Sequence, residues 1–379
     1  MSQTQCLDSE LLHRVALLKV PKIGGQTAKS LIAHCGSATD VFKASLRELA
    51  KIPQVGELIA RNIHRQKTDA ELWRWAEKEL NFIEKNDVKI LFHTDKNYPE
   101  RLRQIQDAPL LLYQHGDPHL NAQRVIAIVG TRKPTPYGLR MTEQIIEGLS
   151  SYNPLIISGL AFGIDAAAHR HSLSQNLPTV AVLGTGLQRI YPTEHTDLAK
   201  RMTDEGGGLL TEFTSDQEPV REHFPMRNRI IAGLCDAMIV VETPTKGGSM
   251  ISATLANDYN RDLFALPART GDRMSEGCNA LIKMQRAQLI ESGEDVAYFL
   301  RWDELAKKHR PTQAQLFTNL TEPQQRVLTV LTSEENHSID QLSAKLNQKS
   351  GELASILLEL EFLGLIKAQP GKLFSAISR

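Results

Sequence analysis

Six short apolar runs, each ending in glycine or in polar residues, constrain the fold of this chain more than any other feature. They lie at residues 124–130, 154–159, 179–184, 208–213, 236–242 and 262–267. Helical patterns separate them, and continuous Val/Ile runs that alternate with helices are typical of a mostly parallel sheet covered on both faces. The sequence therefore predicts a doubly wound α/β domain, in which ligands bind beyond the carboxyl ends of the strands.

A helical region precedes this domain. Residues 1–88 read as short helices, and two of their turns, 20–32 and 52–65, share an apolar-Pro-x-apolar-Gly approach to a helix. Such turns are typical of helix-hairpin-helix or SAM-like modules, in which backbone N–H groups at a helix start can hold a phosphate. A compact helical bundle whose glycines only turn the chain is the alternative. The segment 90–118 looks like an extended lead-in to a core domain that spans 89–310.

Residues 311–379 predict a winged helix, because three helical patterns are followed by a short hairpin. From residue 319 onward the chain carries six Lys/Arg and seven Asp/Glu, which gives this tail a net charge of −1. Its recognition helix would be apolar and acidic. Protein contact or packing is therefore favoured over the reading of a DNA groove.

The composition limits the ligands and the location that we expect. Lys plus Arg equals Asp plus Glu, 44 each, so any anion site needs a local patch of charge. The polar start and the absence of a long apolar run favour a cytoplasmic protein without membrane contact. Four scattered cysteines predict reduced thiols, with packing roles for Cys235 and Cys278 and with neither a metal nor a cofactor.

Glycine and basic residues cluster after the predicted strands, at what would be one edge of the sheet. These candidate phosphate-binding residues are Gly130, Thr131, Arg132, Gly159, Gly163, Arg227, Arg229, Lys246, Gly247, Gly248 and Ser249. Arginine holds a phosphate by a two-pronged contact, and consecutive glycines at a helix start point their N–H groups outward together. Together the segments predict a cationic, glycine-lined groove for a run of phosphates. Asp165, near a helix start, is expected to cap it, with ligand contact as the alternative.

Known nucleotide-binding motifs are incomplete or missing. Gly184 and Gly186 match the start of a dinucleotide-binding fingerprint, but Arg189 occupies the place of its third glycine. The sequence contains no GxxxxGK[ST] segment, which excludes a P-loop ATPase.

Five motifs, IVGTRKPTPYG, SGLAFGIDAAAH, VLGTGLQRIYP, FPMRNRIIAG and ETPTKGGSMISA, resemble in this order the DNA-processing protein A (DprA/Smf) family. The resemblance spans nearly the whole chain. It implies an extended Rossmann-like core that binds and protects single-stranded DNA, a homodimer formed through that core, and loading of RecA during natural transformation. By motif it also adds Ser158 and Asn228 to the candidate DNA-binding residues. Met284, Gln285 and Arg286 depart from the family's usual glycine step, in a region that is commonly part of the dimer surface.

Two other classes of function remain as alternatives. The core also resembles nucleoside-monophosphate phosphoribohydrolases of the lysine-decarboxylase-like group, which carry P-G-G-x-G-T-x-x-E with an acid/base glutamate. When the motif is aligned on Gly247 and Gly248, Thr254 takes the place of that glutamate. We therefore expect binding without catalysis, and keep a nucleotide-binding or nucleotide-hydrolysing enzyme as the alternative. A transcription regulator that reads duplex DNA through the tail is the third class.

Overall fold

The computed structural model describes residues 3–302, 320–333, 337–363, 365–369 and 373–376. The chain divides into two compact units, Met1–Asp303 and Glu304–Arg379. The boundary predicted between residues 310 and 311 lies outside the described residues. The division into three domains at 88/89 and 310/311 therefore stays a prediction.

Six helices open the first unit: α1 (Gln3–Lys19), α2 (Gly25–Cys35), α3 (Ala38–Lys43), α4 (Leu46–Leu49), α5 (Glu57–Gln66) and α6 (Ala70–Lys85). The two similar turns of the sequence precede α2 and α5, where Gly24 and Gly56 are the N-cap residues with extended backbone. The side chain of Asp69 caps α6 by accepting a hydrogen bond from the N–H of Glu71. The apolar faces of these helices pack together into one cluster of buried side chains.

A nine-stranded sheet follows. Its strands are β1 (Val88–Phe92), β2 (Leu111–Gly116), β3 (Val125–Val129), β4 (Leu155–Ser158), β5 (Thr179–Val182), β6 (Gly208–Thr211), β7 (Ala237–Val240), β8 (Asp262–Ala265) and β9 (Gln288–Leu289). The order across the sheet is β1-β2-β6-β5-β4-β3-β7-β8-β9, and every pair from β6 to β9 is parallel. Strands β3 to β8 are the six predicted runs, so the predicted α/β fold is confirmed.

Helices cover both faces of this sheet. They are α7 (Glu100–Arg103), α8 (Pro136–Leu149), α9 (Ile164–Ser174), α10 (Thr196–Asp204), α11 (His223–Leu234), α12 (Gly248–Asp258), α13 (Glu276–Lys283) and α14 (Gly293–Phe299). Ala127 of β3 packs in one buried cluster and Ile126 and Ile128 pack in another, so alternate side chains of this strand point to opposite faces of the sheet. Cys235 and Cys278 lie in the first of these clusters, which agrees with their expected packing roles.

The segment 90–118 is more than an extended lead-in. Strands β1 and β2 pair antiparallel, with Val88 opposite His115, and β2 pairs antiparallel with β6. Phe92 and Tyr113 of this hairpin are buried in the cluster formed by the N-terminal helices. The hairpin therefore extends the sheet and fastens the helical region to it.

The second unit contains α15 (Glu322–Ser333), α16 (Ile339–Leu346) and α17 (Ser350–Phe362), with strands β10 (His337–Ser338), β11 (Ile366–Gln369) and β12 (Leu373–Ala376). The strands form a sheet in the order β10-β12-β11. Val327, Leu342 and Leu357 from the three helices share one buried cluster. The predicted winged helix is confirmed, and β10 is a strand that the sequence did not indicate. Within the described ranges of both units, none of the helices combines the length and the hydropathy that crossing a bilayer requires.

Candidate functional site

A groove of about 780 Å³ lies beyond the carboxyl ends of β3 and β7. The strand order reverses at this point. From β3 the chain continues to β4 and β5 on one side, whereas β7 and β8 lie on the other side of β3. The predicted residues that line it are Gly130, Thr131, Arg132, Arg227, Asn228, Gly247, Gly248 and Ser249. The structure thus brings most of the predicted segments into one site.

The loop after β3 is fixed by a buried carboxylate. Glu242, at the end of β7, accepts hydrogen bonds from the N–H and the hydroxyl of Thr135, and its carbonyl accepts one from the Thr131 N–H at 2.7 Å. Thr135 in turn caps α8. Arg132 and Lys133 lie between these anchor points with exposed side chains at the groove. Two cations are therefore held on a loop whose backbone has little freedom.

The start of α12 forms the opposite wall. Gly247, Gly248 and Ser249 line the groove at the N-terminus of this eleven-residue helix, where helix N–H groups carry partial positive charge. The Ser249 hydroxyl donates to the Gly130 carbonyl at 2.8 Å, which joins this wall to the loop after β3. Lys246 is exposed beside Gly247 and is not among the residues that line the groove.

The predicted residues of the loop after β4 lie behind the groove. The buried Ser158 hydroxyl donates to the Ile128 carbonyl, so it holds two strands together. Gly163 has a φ of +82°, and a Cβ there would collide with the Thr131 carbonyl oxygen. A Cβ on Gly159 would likewise collide with the Arg227 guanidinium. These glycines serve close packing of loops rather than direct lining of the groove.

Arg227 is a buried cation at the floor of the groove. Only 4% of its surface is exposed, and its Nη1 donates to the carbonyls of Gly159 and Val182 at the ends of two strands. Burial lowers the pKa of Arg227 to about 10, and the nearby Asp165 carboxylate opposes that shift. Burial also raises the pKa of Asp165. The Asp165 carboxylate accepts from the N–H groups of Gly159 and Ala161, so it holds the loop before α9 and does not cap this helix as expected.

Arg229 lies on another face of α11, away from the groove. It pairs with Glu212, and its Nη1 donates to the Asp107 carbonyl at 2.6 Å. Burial raises the pKa of Glu212, and the charge of Arg229 opposes that rise. Two residues along a helix differ by about 200° in direction, which is why neighbouring arginines of one motif serve different surfaces.

Several residues that line the groove were not predicted from the sequence. Lys133, Arg221 and Tyr191 line it, and Tyr191 makes a ring contact of 5.6 Å with Phe224. The guanidinium carbon of Arg132 lies 5.7 Å from the centre of the Phe224 ring. The basic residues adjoin recognised motifs and could have been found. Tyr191 follows a loop whose path depends on the tertiary fold, so its sequence carries no signal for this position.

A family model described as DNA recombination-mediator protein A matches residues 89–301, more than half of the chain. The chain belongs to the DNA recombination-mediator protein A family. A DprA winged helix domain model matches residues 310–372, and a helix-hairpin-helix motif matches residues 14–73. These matches confirm the resemblance that the motifs indicated, and they agree with the N-terminal helices and the winged helix described above.

Relatives of this DNA recombination-mediator family cover most of the chain. Protein Smf from Synechocystis sp. is 31% identical over 96% of this chain and 98% of its own length. The solved structure of DprA from Streptococcus pneumoniae is 33% identical, with a TM-score of 0.65 over 76% of this chain and 97% of that chain. A Helicobacter pylori DprA structure, described as showing a unique single-stranded DNA binding mode, is 32% identical with a TM-score of 0.52. It covers 57% of this chain and 96% of its own.

Proposed function

We propose that the groove binds the backbone of single-stranded DNA. The observation that carries this proposal is the convergence of exposed Arg132, Lys133 and Arg221 with the N-terminus of α12 in one cleft. Cations and backbone N–H groups attract phosphates without regard to sequence, and such attraction weakens as salt rises. The Helicobacter pylori relative, whose description names single-stranded DNA, supports the same ligand.

The predicted residues other than Arg229, which lies away from the groove, take two roles in this proposal. Those that contact the DNA backbone are Gly130, Thr131, Arg132, Asn228, Gly247, Gly248 and Ser249, with Lys246 at the margin. Ser158, Gly159 and Gly163 shape the groove from behind, and Arg227 braces its floor. Tyr191 and Phe224 offer ring faces to bases, and stacking contributes about 1–3 kcal/mol per base.

We further propose that the protein is a recombination mediator of the cytoplasm that protects incoming DNA and loads RecA onto it during natural transformation. Membership of the DNA recombination-mediator family supports the general role. We propose no catalytic step. Thr254, which takes the place of the acid/base glutamate of the rival enzymes, donates its hydroxyl to the Met250 carbonyl within α12.

A comparison of oligo-dT with a duplex of the same length tests the DNA-binding proposal. The groove exposes cations and rings to an unpaired strand, so we expect the full-length protein to bind oligo-dT at least tenfold more tightly in a fluorescence anisotropy assay. Tighter binding of the duplex would instead support the transcription regulator. Release of free base from AMP by the purified protein would support the enzyme.

We propose that the homodimer forms at the outer end of the core sheet. Strand β9 ends the sheet, and Met284, Leu289, Tyr298 and Phe299 near it expose large apolar surfaces. Apolar patches of this kind mark contact surfaces between proteins.

The variant Leu289→Glu should convert a dimer to a monomer in light scattering coupled to size exclusion, because it places a charge in the contact. Leu58→Glu is the matched control, since Leu58 is an exposed leucine on α5. If Leu289→Glu remains a dimer, the interface lies elsewhere on the molecule.

A further inference from the structure

Two loops of the core reach from the N-terminal helices to the groove. We call them the rim loops: residues 183–191 after β5, and residues 212–222 after β6. The Gly186 N–H donates to the Gln217 carbonyl at 2.9 Å, and the Gln188 N–H to the Ser215 carbonyl at 3.1 Å. The rim loops are therefore bound to each other along their length.

The far ends of the rim loops form one wall of the groove. The first ends at Tyr191, and the second carries Pro219 and Arg221 and leads into α11, where Phe224 lies. The rings of Tyr191 and Phe224 contact each other across the two loops. A displacement of either loop would therefore shift this wall.

The near ends of the rim loops are held by the N-terminal helices, and the second rim loop by α6. The Glu79 carboxylate is buried, and it accepts from the Ser215 N–H at 2.7 Å and from the Ser215 hydroxyl at 2.5 Å. The Trp75 indole N–H donates to the Asp216 carboxylate at 3.0 Å. Leu187 of the first rim loop packs against the buried cluster of the N-terminal helices. The N-terminal helices thus contact both rim loops, and α6 holds the second rim loop by hydrogen bonds.

We infer that α6 holds the aromatic wall of the groove in place and that Glu79 is the positioning residue. A buried carboxylate depends on its hydrogen bonds, and Glu79 accepts two of them from one residue of the second rim loop, Ser215. Movement of Ser215 away from α6 would cost the buried Glu79 carboxylate both of these hydrogen bonds. The N-terminal helical region lies outside the groove, yet it affects the affinity of the groove for DNA. This inference rests on the proposed binding of single-stranded DNA.

The first test compares three substitutions on α6 of the full-length protein. Glu79→Ala should weaken oligo-dT binding about five- to tenfold, because the loss of a charge-assisted hydrogen-bond pair releases the loop. Glu79→Gln should bind within about twofold of wild type, since its amide can accept from the Ser215 N–H and donate to the Ser215 hydroxyl. Glu77→Ala is the matched control, because Glu77 is exposed on the same helix. Circular dichroism confirms that each variant is folded at the assay temperature.

A double-mutant cycle separates positioning from a general loss of structure. If Glu79 acts through the wall, then Glu79→Ala should weaken binding less than about twofold when Tyr191 is already alanine. An equal loss in both backgrounds, or oligo-dT binding by Glu79→Ala at wild-type affinity, would overturn the inference. Failure of the wild-type protein to bind oligo-dT would refute the proposed function instead, so the two failures are distinguishable.

Discussion

Arg227→Met is expected to lower the free energy of unfolding of the core by about 3–5 kcal/mol, because it removes a buried cation that serves two strand-end carbonyls and the nearby Asp165 carboxylate. Methionine fills the apolar part of the space but leaves the carbonyls of Gly159 and Val182 without their donor. Asp165 also loses the positive charge that opposes the rise of its pKa. Urea denaturation measures the difference, and Arg221→Met, at an exposed arginine of the same groove, should change stability by less than about 0.5 kcal/mol.

The pH dependence of this variant gives an independent check. The folded-state pKa of Asp165 is raised, and a carboxyl of that kind loses stability as pH rises through its folded pKa. Without Arg227 the pKa rises further, so the deficit of Arg227→Met should be smaller at about pH 5 than at about pH 7. A variant as stable as wild type that has lost DNA binding would show that Arg227 contacts phosphate and does not serve the fold.

The second large effect is expected at Arg229. Arg229→Ala should destabilise the core by about 3 kcal/mol, because it leaves the buried Glu212 carboxylate without its cation. Since Arg229 lies away from the groove, the folded variant should bind oligo-dT within about twofold of wild type. The double variant Arg229→Ala/Glu212→Gln removes the unpaired charge and should recover part of the stability.

The stability of Arg229→Ala should depend on pH, and Glu212 determines the direction of that dependence. Burial already raises the pKa of Glu212 above its ordinary value, and loss of Arg229 removes the charge that opposes that rise. The folded protein then binds a proton more readily than the unfolded chain, so stability falls as pH rises through the folded pKa. The deficit of Arg229→Ala should therefore be larger at about pH 7 than at about pH 5. Equal deficits at the two pH values, or a large loss of DNA affinity by folded protein, would contradict this role.

The sequence predicted the strands of the core because their signal is local. A buried parallel strand such as β3 is a continuous apolar run, and the glycines after it must follow the strand end wherever the sheet lies. The position of the groove followed from those strand ends. The β1–β2 hairpin was missed because a long connection containing α7 separates its two strands, and because β2 joins the sheet only through β6, far along the chain.

The direction in which a side chain points was the second feature that could not be predicted from the sequence. Arg227 and Arg229 share one motif, and only the turn of α11 sends one beneath the groove and the other to Glu212. Ser215, the partner of Glu79, lies 136 residues away in the sequence, and Glu212, the partner of Arg229, lies 17 residues away. Neither separation predicts a contact. Such roles depend on which loops meet in the folded chain.

The salt dependence of oligo-dT binding tests the central claim most directly. The slope of log affinity against log salt should become shallower by about 0.7 for each phosphate of a single strand that the protein no longer neutralises. Arg132→Ala/Lys133→Ala should therefore flatten the slope by about 1.4 relative to wild type, while Arg229→Ala should leave it unchanged. An unchanged slope in Arg132→Ala/Lys133→Ala would contradict the assignment of this groove as the site that binds single-stranded DNA.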